Sequence, residues 1–504
     1  MNPREVEADL REHFGEWSTN SNECFSISLI RGDETTAVTF RPEFTYAIFG
    51  EEESVFGYED LNIALSFASH NLTPHLEIKH GKTHPAIRTS EGPDVNPTDI
   101  RKALNGFLPE HAFTSQTRAE ALRDDAAAEF RPPGEKVASY QQSGENFEIW
   151  SSSLREAPAR ALLENMQILA PMFIDGGSKL EIEQDWTLQR WRLFSLYKLD
   201  VSQPPQPHLS PYSLAGYATS YRSFTLSARH PQSQVDVELF SSGAQSLDSF
   251  LAPLDSDTSN FHAPPAFGAV TSPLDLPSRE RLAQFLILPP YQRAGHGRHL
   301  YDAVYDNLTS APHTREFTVE DPNESFDELR DTCDLLRLRA HSAAFAALEI
   351  ERGVDPERLA SSQLLPTDLI VSKQARLDIC QEVKIDPRQF ARLVEMQTLA
   401  SIPPLHRSRA RLTRKEKSSN GNDRAYYFWR LYVKERLFFH NKDQLVQMER
   451  DERIEKLEAA LDSVAEGYER CLERMTKLEH EGSTTEGPAK TRKRKVIDDD
   501  DEAD

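Results

Sequence analysis

The sequence predicts an α+β protein: a mixed twisted sheet with flanking helices, preceded by a β-rich amino-terminal domain and followed by a small helical domain. Residues 22–80 contain short β-branched runs and segments of alternating polarity, which are typical of half-buried strands. Residues 284–324 contain an apolar run, a glycine turn, a helical pattern and a second apolar run, which predicts strand, turn, helix and strand. From Ala343 to about Asn441 apolar residues recur at helical spacing, which predicts several helices.

The length of the chain requires more than one domain, because 504 residues exceed the size of one ordinary hydrophobic core. The stretch Arg131-Pro132-Pro133-Gly134 is a suitable boundary, since Pro and Gly interrupt regular structure. We predict an α+β domain at residues 1–135, a second α+β domain at 136–345 with a disordered insertion at about 228–280, a helical domain at 346–445, and a heptad helix with a disordered tail at 446–504.

The chain is acidic, with 81 Asp and Glu residues against 58 Lys and Arg residues and a net charge of -23. Such a charge disfavours binding to bare nucleic acid, whose phosphates would repel the protein. It favours the approach of a basic partner. An acidic surface that serves only solubility is the alternative.

The cysteines and the apolar runs indicate the cellular compartment of the protein. Four cysteines stand far apart without a C-x-x-C pair, which argues against a disulfide framework or a zinc site and favours a reducing compartment. The amino terminus lacks the apolar stretch of a signal peptide, and no run is long enough to span a membrane. We therefore expect a soluble, intracellular protein without a membrane segment and without a bound metal.

Aromatic residues flank three acids near the amino terminus. Glu43-Phe44-Thr45-Tyr46 precedes Glu51, Glu52 and Glu53, and Phe56-Gly57-Tyr58 follows them. This arrangement could form a cleft wall for a basic peptide, or the acids could occupy a solvated turn. A helix is expected at Pro97 to Phe107.

The predicted elements of the second domain begin near Glu145. Its expected elements, in order, are a strand at Phe147–Trp150, a helical segment at Ala159–Ile174 that ends before Asp175, strands at Leu193–Tyr197 and Leu214–Tyr221, and the insertion. Trp186 and Trp191 precede the first of the two later strands.

The turn Gln292-x-x-Gly295-x-Gly297 stands at the start of a predicted helix. Glycines let the backbone approach a ligand closely, and free N–H groups at a helix N-terminus bind phosphate oxygens. A simple helix cap is the alternative. The turn lacks the ending of a Walker loop, and its surroundings disfavour a Rossmann site. It does fit the acetyl-coenzyme A pyrophosphate loop of the Gcn5-related N-acetyltransferase fold. By residue type alone, Glu320-Asp321-Pro322 could equally be a turn or a helix cap.

Four stretches in the expected order resemble the family of type B histone acetyltransferase catalytic subunits. They are Phe285 to Arg298, Val319 to Asp331, Glu43–Tyr46 with Phe56–Tyr58, and Tyr426-Tyr427-Phe428-Trp429-Arg430. The resemblance covers about residues 20 to 440 and implies a Gcn5-related N-acetyltransferase fold at 136–345. It also implies direct acetyl transfer from acetyl-coenzyme A to a lysine ε-amine, without a covalent acyl-enzyme.

The resemblance implies roles for three carboxylates. A lysine amine has a pKa of about 10.4, so it must lose a proton before it attacks a thioester. The motif position assigns this general base to Glu320. Asp321 would point to the opposite side if the strand continued, so it would help only indirectly. Asp175 stands where the family usually has Glu, and it would be a second acidic residue with a side chain one methylene shorter.

The resemblance also implies the binding residues. Expected cofactor contacts are the backbone of Phe285, Leu286 and Ile287 for the pantetheine arm, then Gln292, Arg293, Ala294, Gly295, His296, Gly297 and Arg298 for the pyrophosphate, and Asn323. Expected histone-tail contacts are Glu51, Glu52, Glu53, Trp191, Tyr221, Arg222 and Ser223, with Trp186 as the competitor of Trp191.

The implied substrate is the amino-terminal tail of histone four, on free histone before chromatin assembly, and the implied partner is a β-propeller histone chaperone. Direct contact with nucleic acid or membrane is not expected, and the implied location is the nucleus and the cytoplasm. The alternatives are acetylation of another amine or protein, a histone-binding assembly factor without catalysis, and a coiled-coil scaffold.

The carboxy-terminal part lies outside the resemblance. Apolar residues from Ile454 to Leu478 alternate spacings of three and four, which predicts a heptad seam for a partner or a single solvated helix. A basic break at Arg407 to Asn422 predicts a solvated loop, with contact to acidic partners as the alternative. The cluster Lys490 to Lys495 is of nuclear-localisation type.

Overall fold

The computed structural model describes residues 15–32, 38–86, 95–182, 185–201, 206–224, 277–352, 367–412 and 420–484. The chain divides into two compact units: Met1–Leu329 with Cys380–Pro387, and Arg330–Ile379 with Arg388–Asp504. Most of the predicted insertion and the cluster Lys490 to Lys495 lie outside the described residues.

The amino-terminal part of the first unit is β-rich, as predicted. Its strands are β1 (Ser18–Asn20), β2 (Phe25–Ile30), β3 (Val38–Phe40), β4 (Ser54–Phe56), β5 (Asn62–Ala68) and β6 (Pro74–Lys79). Four of them form a sheet in the order β3-β2-β5-β6, in which only β2 and β5 run parallel, while β1 pairs with β4. Short helices are α1 (Ser21–Cys24), α2 (Tyr46–Phe49), α3 (Ile100–Asn105) and α4 (Arg118–Ala121).

A six-stranded mixed sheet forms the rest of the first unit. Its strands are β7 (Glu135–Gln142), β8 (Glu145–Ser153), β9 (Trp191–Leu199), β10 (Tyr212–Phe224), β11 (Ser278–Ile287) and β12 (Thr314–Val319). They lie in sequence order, antiparallel except for the parallel pair β11 and β12. Helices α5 (Ala157–Met166), α6 (Leu169–Phe173), α7 (Asp185–Leu188) and α8 (His296–Thr309) connect them. A mixed α/β architecture is thus confirmed.

Strand β7 was not predicted, and it brings the start of the sheet forward from Glu145. It pairs antiparallel with β8 through a two-residue turn. Both turn residues, Ser143 and Gly144, have positive φ values of 54° and 82°. Such a turn matches the twist of a hairpin, and the Ser-Gly pair is its sequence signal.

Strand β11 begins earlier than the sequence predicted. The insertion was expected to reach residue 280, but Ser278, Arg279 and Glu280 already pair with β10 and β12. Their alternation of buried and exposed side chains continues into the apolar run that ends at Ile287. The predicted order of strand, glycine turn, helix and strand is confirmed by β11, α8 and β12.

The four-stranded and six-stranded sheets of the first unit share one hydrophobic core. Phe25 and Phe67 of the amino-terminal sheet belong to the same buried cluster as Leu163, Tyr197 and Tyr217. A core residue in such a cluster contributes about 1.5–3 kcal/mol by leaving water. The amino-terminal segment is therefore packed against the six-stranded sheet rather than merely linked to it.

The described elements of the second unit are helices. Its helices are α9 (Glu324–His341, which begins in the first unit), α10 (Ala343–Ala346), α11 (Lys373–Glu382), α12 (Pro387–Ala400), α13 (Arg409–Leu412), α14 (Gly421–His440), α15 (Lys442–Leu445) and α16 (Arg450–Thr484). None of the helices within the described ranges is long and apolar enough to cross a membrane.

The heptad seam packs inside the second unit, so both alternatives considered from the sequence were wrong. Leu461, Tyr468, Cys471 and Met475 of α16 are buried, and α16 packs along α14. Ile454 at the start of the seam is 49% exposed. The side chain of Leu478 lies outside the described part. The periodicity shows only that one stripe of the helix is buried. It does not distinguish a partner helix of the same chain from a helix of another chain.

The basic break is not a solvated loop over its described part. Arg407 Nε donates to the Ile402 carbonyl at 2.7 Å, Arg409 pairs with Asp462 at 3.2 Å, and Arg411 pairs with Asp423 at 3.0 Å. These arginines bind acidic and carbonyl partners within the second unit. Residues 413–419 are not described.

A buried carboxylate joins three helices of this unit. Glu395 of α12 is fully buried, accepts hydrogen bonds from Arg436 Nε at 2.6 Å and Nη2 at 2.8 Å, and accepts a third from Tyr468 at 2.8 Å. Breaking a buried ion pair costs about 3 kcal/mol or more, since it leaves the other charge uncompensated. We therefore predict that Glu395→Gln lowers the free energy of unfolding by about 3 kcal/mol in urea titrations followed by circular dichroism.

The matched control is Glu77→Gln, which removes a carboxylate from an exposed ion pair with Lys79. Exposed pairs contribute little, so this change is expected to stay within about 0.5 kcal/mol. Equal effects of the two substitutions would contradict the role of the Glu395 network.

Candidate functional site

The edge of β11 is only partly paired. Its register with β12 ends at Leu282 opposite Val319, and one further bond joins the Glu320 N–H to the Leu282 carbonyl at 2.9 Å. Beyond this point β11 continues to Ile287 and remains paired with β10 on its other side. Among the described residues no strand pairs with this edge at Ala283–Ile287. An extended ligand with amide groups could add there as a further strand.

Phe285, Leu286 and Ile287 lie in this open part of β11. The Ile287 carbonyl already accepts a hydrogen bond from the Gln292 side chain at 2.9 Å, so Gln292 closes one end of the open edge. Phe285 packs against Phe326, with ring centroids 5.1 Å apart, and Leu286 is buried in the core. What remains for an extended ligand is the stretch of this edge between Leu282 and Ile287.

The glycine turn presents an exposed backbone at the N-terminus of α8. Gly295 is the N-cap residue and has a φ of 88°, and Arg293 also has a positive φ of 59°. The residues from Gln292 to Gly295 are exposed. Alternating backbone handedness before a fourteen-residue helix gathers N–H groups, and such a concavity with the helix dipole favours an anion.

Arg298 and Gly297 complete the first turn of α8. The Arg298 guanidinium lies 3.7 Å from the Asp302 carboxylate, and 41% of its side chain is exposed. A Cβ atom added to Gly297 would lie 3.4 Å from Leu329, an ordinary contact distance. The protein itself therefore has room for a small side chain at Gly297, whereas the backbone at Gly295 requires glycine.

The His296 side chain turns inward, away from the exposed turn. Its Nδ1 atom lies 2.9 Å from the Tyr140 hydroxyl, and its ring packs on Phe147 with centroids 4.2 Å apart. Burial lowers the pKa of His296 below its ordinary value of 6.5 and raises the pKa of Tyr140. Only the backbone of His296 is placed to meet an anion, since its ring anchors α8 to β7 and β8.

Glu320 lies at the end of β12 and is accessible. Its side chain is 42% exposed, and its Oε1 atom lies 3.2 Å from Arg281 Nη2. The register places Arg281 opposite Thr318, so the guanidinium stands on the face towards which the Glu320 carboxylate turns. The partner of this carboxylate is therefore a cation on the neighbouring strand.

Asp321 does not continue the strand. The strand ends at Val319, and Asp321 has a φ of 35°, which breaks the alternation of faces. Asp321 was expected to point opposite to Glu320 only if the strand continued, and that condition is not met. Asn323 caps the next helix, because its side-chain oxygen accepts from the Phe326 N–H at 2.9 Å. This helix-cap hydrogen bond satisfies the Asn323 side-chain oxygen without a ligand.

Asp175 is held by the amino-terminal segment. The Tyr46 hydroxyl donates to Asp175 Oδ1 at 3.0 Å and accepts from the Gly176 N–H at 2.6 Å. The loop that follows is tied to the sheet, because the Gln284 amide donates to the Ser178 carbonyl at 2.7 Å. Asp175 itself is exposed.

The segments of Asp175 and Glu320 reach β11 close together. Glu320 is attached at Leu282, and the Asp175 loop is attached at Gln284. Two residues along a strand span about 7 Å. Both carboxylates thus belong to one stretch of β11, at the point where its edge opens.

Aromatic side chains extend the same face of the sheet. Trp191 is in register with Tyr221, and Tyr221 is in register with Arg281. The rings of Trp191 and Tyr221 lie 5.0 Å apart, and Arg190 donates to the Tyr221 hydroxyl at 3.2 Å. Register partners in neighbouring strands share a face, so Trp191, Tyr221, Arg281 and the base candidate form one row. The Trp186 side chain lies outside the described part.

Arg222 belongs to the opposite face. It is in register with Glu280, and its Nε atom lies 2.5 Å from the Glu280 carboxylate, with 13% of the Arg222 side chain exposed. Burial raises the pKa of Glu280, and the Arg222 guanidinium opposes that rise. A peptide that lies on Trp191 and Tyr221 would therefore not meet Arg222. Ser223 is in register with Arg279 and donates to its carbonyl at 3.4 Å.

The three acids after α2 differ in role. Glu53 is committed to the fold: it accepts from the Thr45 N–H at 2.6 Å and from the Asn22 amide at 2.7 Å. Its φ of 47° marks the tight turn. Glu51 and Glu52 are exposed. The aromatic residue next to these acids, Tyr46, points to Asp175.

The site combines an open strand edge, an anion-binding turn and two accessible carboxylates. Tyr46 stood in a motif quoted from the sequence, but its contact with Asp175 is visible only in three dimensions. Arg281 and Glu280 were missed because the start of β11 was placed too late. Within the described ranges no cluster of His, Cys, Asp and Glu has the arrangement of a metal site.

Comparison with known proteins supports one family. Residues 17–175 match the family model described as "Histone acetyl transferase HAT1 N-terminus". The chain is 38% identical over 501 residues to the histone acetyltransferase type B catalytic subunit of Aspergillus fumigatus, covering 95% of this chain and 81% of that protein.

Two further relatives carry the same name. The Aspergillus oryzae protein is 37% identical over 485 residues, covering 92% of this chain and 87% of the relative. The Schizosaccharomyces pombe protein is 28% identical over 468 residues, covering 92% of this chain and 95% of the relative. The similarity therefore extends over nearly the whole length of these proteins.

The buried His296 predicts a pH dependence of stability. Its folded-state pKa is lowered, so the unfolded chain takes up a proton near 6.5 while the folded protein still resists protonation. Stability that is present above pH 6.5 is therefore lost as the pH falls through the folded-state pKa. We predict that the free energy of unfolding decreases less between pH 7 and 5 in His296→Gln than in the unchanged protein.

The measurement is urea unfolding at each pH, and the matched control is His111→Gln at an exposed position. The control should follow the unchanged protein. A His296→Gln curve parallel to that of the unchanged protein would contradict the assignment.

Proposed function

The chain belongs to the family of histone acetyltransferase type B catalytic subunits, and we propose on this premise that it transfers acetyl from acetyl-coenzyme A to lysine ε-amines of the histone four tail. Membership makes the chain an acyltransferase. The observation that carries the proposal is the attachment of two accessible carboxylates to β11 where its edge opens, beside an anion-binding turn.

Acetyl-coenzyme A supplies an activated thioester and is a substrate rather than a resident group. Its pantetheine arm carries amides that suit the open edge at Phe285 and Leu286. Its pyrophosphate suits the N-terminus of α8, with backbone N–H groups from Arg293 to Arg298. Gln292 limits the open edge by its bond to Ile287, and Arg298 adds positive charge.

Glu320 is proposed as the general base. A free lysine amine has a pKa of about 10.4, so at neutral pH the incoming ammonium must give up a proton. The Glu320 carboxylate accepts it, the amine forms a bond to the acetyl carbonyl carbon, and the carbon–sulfur bond breaks. The thiolate takes a proton and leaves as coenzyme A. No acyl-enzyme is formed on this route.

Arg281 stands beside this base and has a second consequence for the reaction. A guanidinium 3.2 Å from Glu320 lies close to any ammonium that approaches the carboxylate. Like charges at such a distance disfavour the protonated amine. The row from Arg281 to Trp191 therefore guides the lysine side chain, and Arg281 at its end favours the neutral, nucleophilic form of the amine.

Asp175 is proposed as the second carboxylate. It lies on the same face as the base, since its loop is attached to Gln284. Its exposure leaves it able to pass a proton to solvent or to hold the backbone of the tail. Asp321, on a turn with positive φ, is proposed only as support for the base.

The histone tail is proposed to cross the face that bears Trp191 and Tyr221 and to approach Glu51 and Glu52. A tail rich in lysine and arginine complements a protein of net charge -23, whose field accelerates association. Aromatic faces also attract ammonium groups. Glu53 and Arg222 are proposed to support this surface from within the fold.

The remaining assignments complete the proposal. Residues 1–135 are proposed to provide histone and partner contacts, and 136–345 to form a Gcn5-related N-acetyltransferase domain. A helical domain at 346–445 and a heptad helix with a tail at 446–504 follow it in the chain. The partner is a β-propeller histone chaperone. The enzyme acts on free histone, in the nucleus and in the cytoplasm, and the cluster Lys490 to Lys495 serves nuclear import.

Replacement of the proposed base tests the mechanism. Glu320→Gln removes the proton acceptor and keeps the shape, so turnover of a histone four tail peptide should fall by about 10²–10⁴-fold. Affinity for coenzyme A, measured by calorimetry, should be unchanged. The control Glu324→Gln alters an exposed acid at the start of α9 and should retain activity.

Three outcomes would overturn the proposal. Turnover near that of the unchanged protein would exclude Glu320 as the base. A polyamine acetylated faster than the tail peptide would assign another substrate, and the absence of any acetyl-coenzyme A consumption would indicate a histone-binding factor without catalysis.

A further inference from the structure

We infer that Tyr46 is a positioning residue that holds Asp175 in its working orientation and couples it to the acidic turn at Glu51–Glu53. The inference rests on the proposed function, in which Asp175 is the second carboxylate. Tyr46 lies 129 residues from Asp175 in sequence, so the contact is a product of the tertiary fold.

The Tyr46 hydroxyl makes two directional hydrogen bonds. It donates to Asp175 Oδ1 at 3.0 Å and accepts from the Gly176 N–H at 2.6 Å. The first bond has a charged acceptor, which makes it stronger than a neutral one. The second fixes the backbone next to the carboxylate. Together they fix the backbone position of Asp175 and the direction of its side chain.

The segment that carries Tyr46 is itself anchored. The N–H groups of Glu43 and Phe44 both donate to the Met172 carbonyl, each at 3.0 Å, at the end of α6. Thr45 is buried, and its N–H donates to Glu53 Oε1 at 2.6 Å. A line of adjacent bonds therefore runs from the acidic turn through Thr45 and Tyr46 to Asp175.

This arrangement matters because of the length of the Asp175 side chain. An aspartate has one methylene fewer than a glutamate, so it reaches less far and depends more on the position of its backbone. The Gly176 bond sets that position, and the Tyr46 hydroxyl leaves Oδ2 free of this contact. Misplacement of a working group by about 1 Å can cost up to 10²-fold in rate.

The test compares Tyr46→Phe, Asp175→Asn and the double variant in the full chain, with initial rates over a range of tail-peptide concentrations and pH. Asp175→Asn should lower kcat by about 10²-fold. Tyr46→Phe should lower kcat by about tenfold, with little change in KM, because the carboxylate remains but loses its support. The double variant should match Asp175→Asn within about twofold, because a residue that acts through Asp175 has no effect without it.

The matched control is Tyr212→Phe. The Tyr212 hydroxyl also donates to a carboxylate, that of Glu148 at 3.2 Å, but it lies at the other end of β10. Tyr212 and Tyr221 are nine positions apart along β10, a distance of about 30 Å. Tyr212→Phe should leave kcat and its pH profile unchanged. Tyr46→Phe should change both, and its unfolding midpoint should be no lower than that of the control.

Three results would overturn the inference. The first is an unchanged kcat in Tyr46→Phe. The second is a loss of kcat on Tyr46→Phe substitution that is equally large in the unchanged protein and in Asp175→Asn. The third is a change in KM without a change in kcat. Glu320→Gln in the same assay separates this failure from failure of the proposed function. If Glu320→Gln loses turnover while Tyr46→Phe keeps full activity, only the inference is rejected. If Glu320→Gln keeps full activity, the proposed base is rejected.

Discussion

The incomplete pairing of β11 and β12 is the constraint on which the site depends. Backbone groups at a strand edge require hydrogen-bond partners, and β12 supplies them only as far as Leu282. The same divergence places Glu320 at the end of the shorter strand, next to the edge that stays open. A β12 that continued to pair would cover the edge and carry its acidic residues away from Gln284. The site thus follows from where one strand stops.

The second dependence is the packing of the amino-terminal segment against the sheet. The shared core that includes Phe67 and Tyr217 brings the segment Glu43–Tyr46 to the end of α6, where it meets Met172 and Asp175. The acidic turn follows this segment directly. Electrostatic attraction of a basic tail and the orientation of the second carboxylate therefore rest on the same stretch of chain. In the proposal, Glu51 and Glu52 of this stretch serve substrate approach, whereas Tyr46 serves turnover.

Local patterns were sufficient for the glycine turn, α8 and the helices of the second unit, because each has a periodicity or a cap in its own sequence. They were insufficient where a residue has its partner far away. Glu53 and Arg222 looked like surface residues, yet Thr45 and Glu280 engage them. The seam of α16 was visible, but that α14 covers it was not. Strand β7 was missed because its alternation is polar. The family, the mixed α/β fold and the acyltransferase class were predictable; the faces on which the site residues lie were not.

Amide hydrogen exchange of the free protein and of its complex with coenzyme A tests most directly the claim that the β11 edge receives the cofactor. We predict that exchange in the segment Ala283–Leu288 and in the turn from Gln292 to Arg298 slows when coenzyme A is added. The segment Ser278–Leu282, already paired on both sides, should change little. Unchanged exchange across Ala283–Leu288 together with tight binding of coenzyme A would contradict the account.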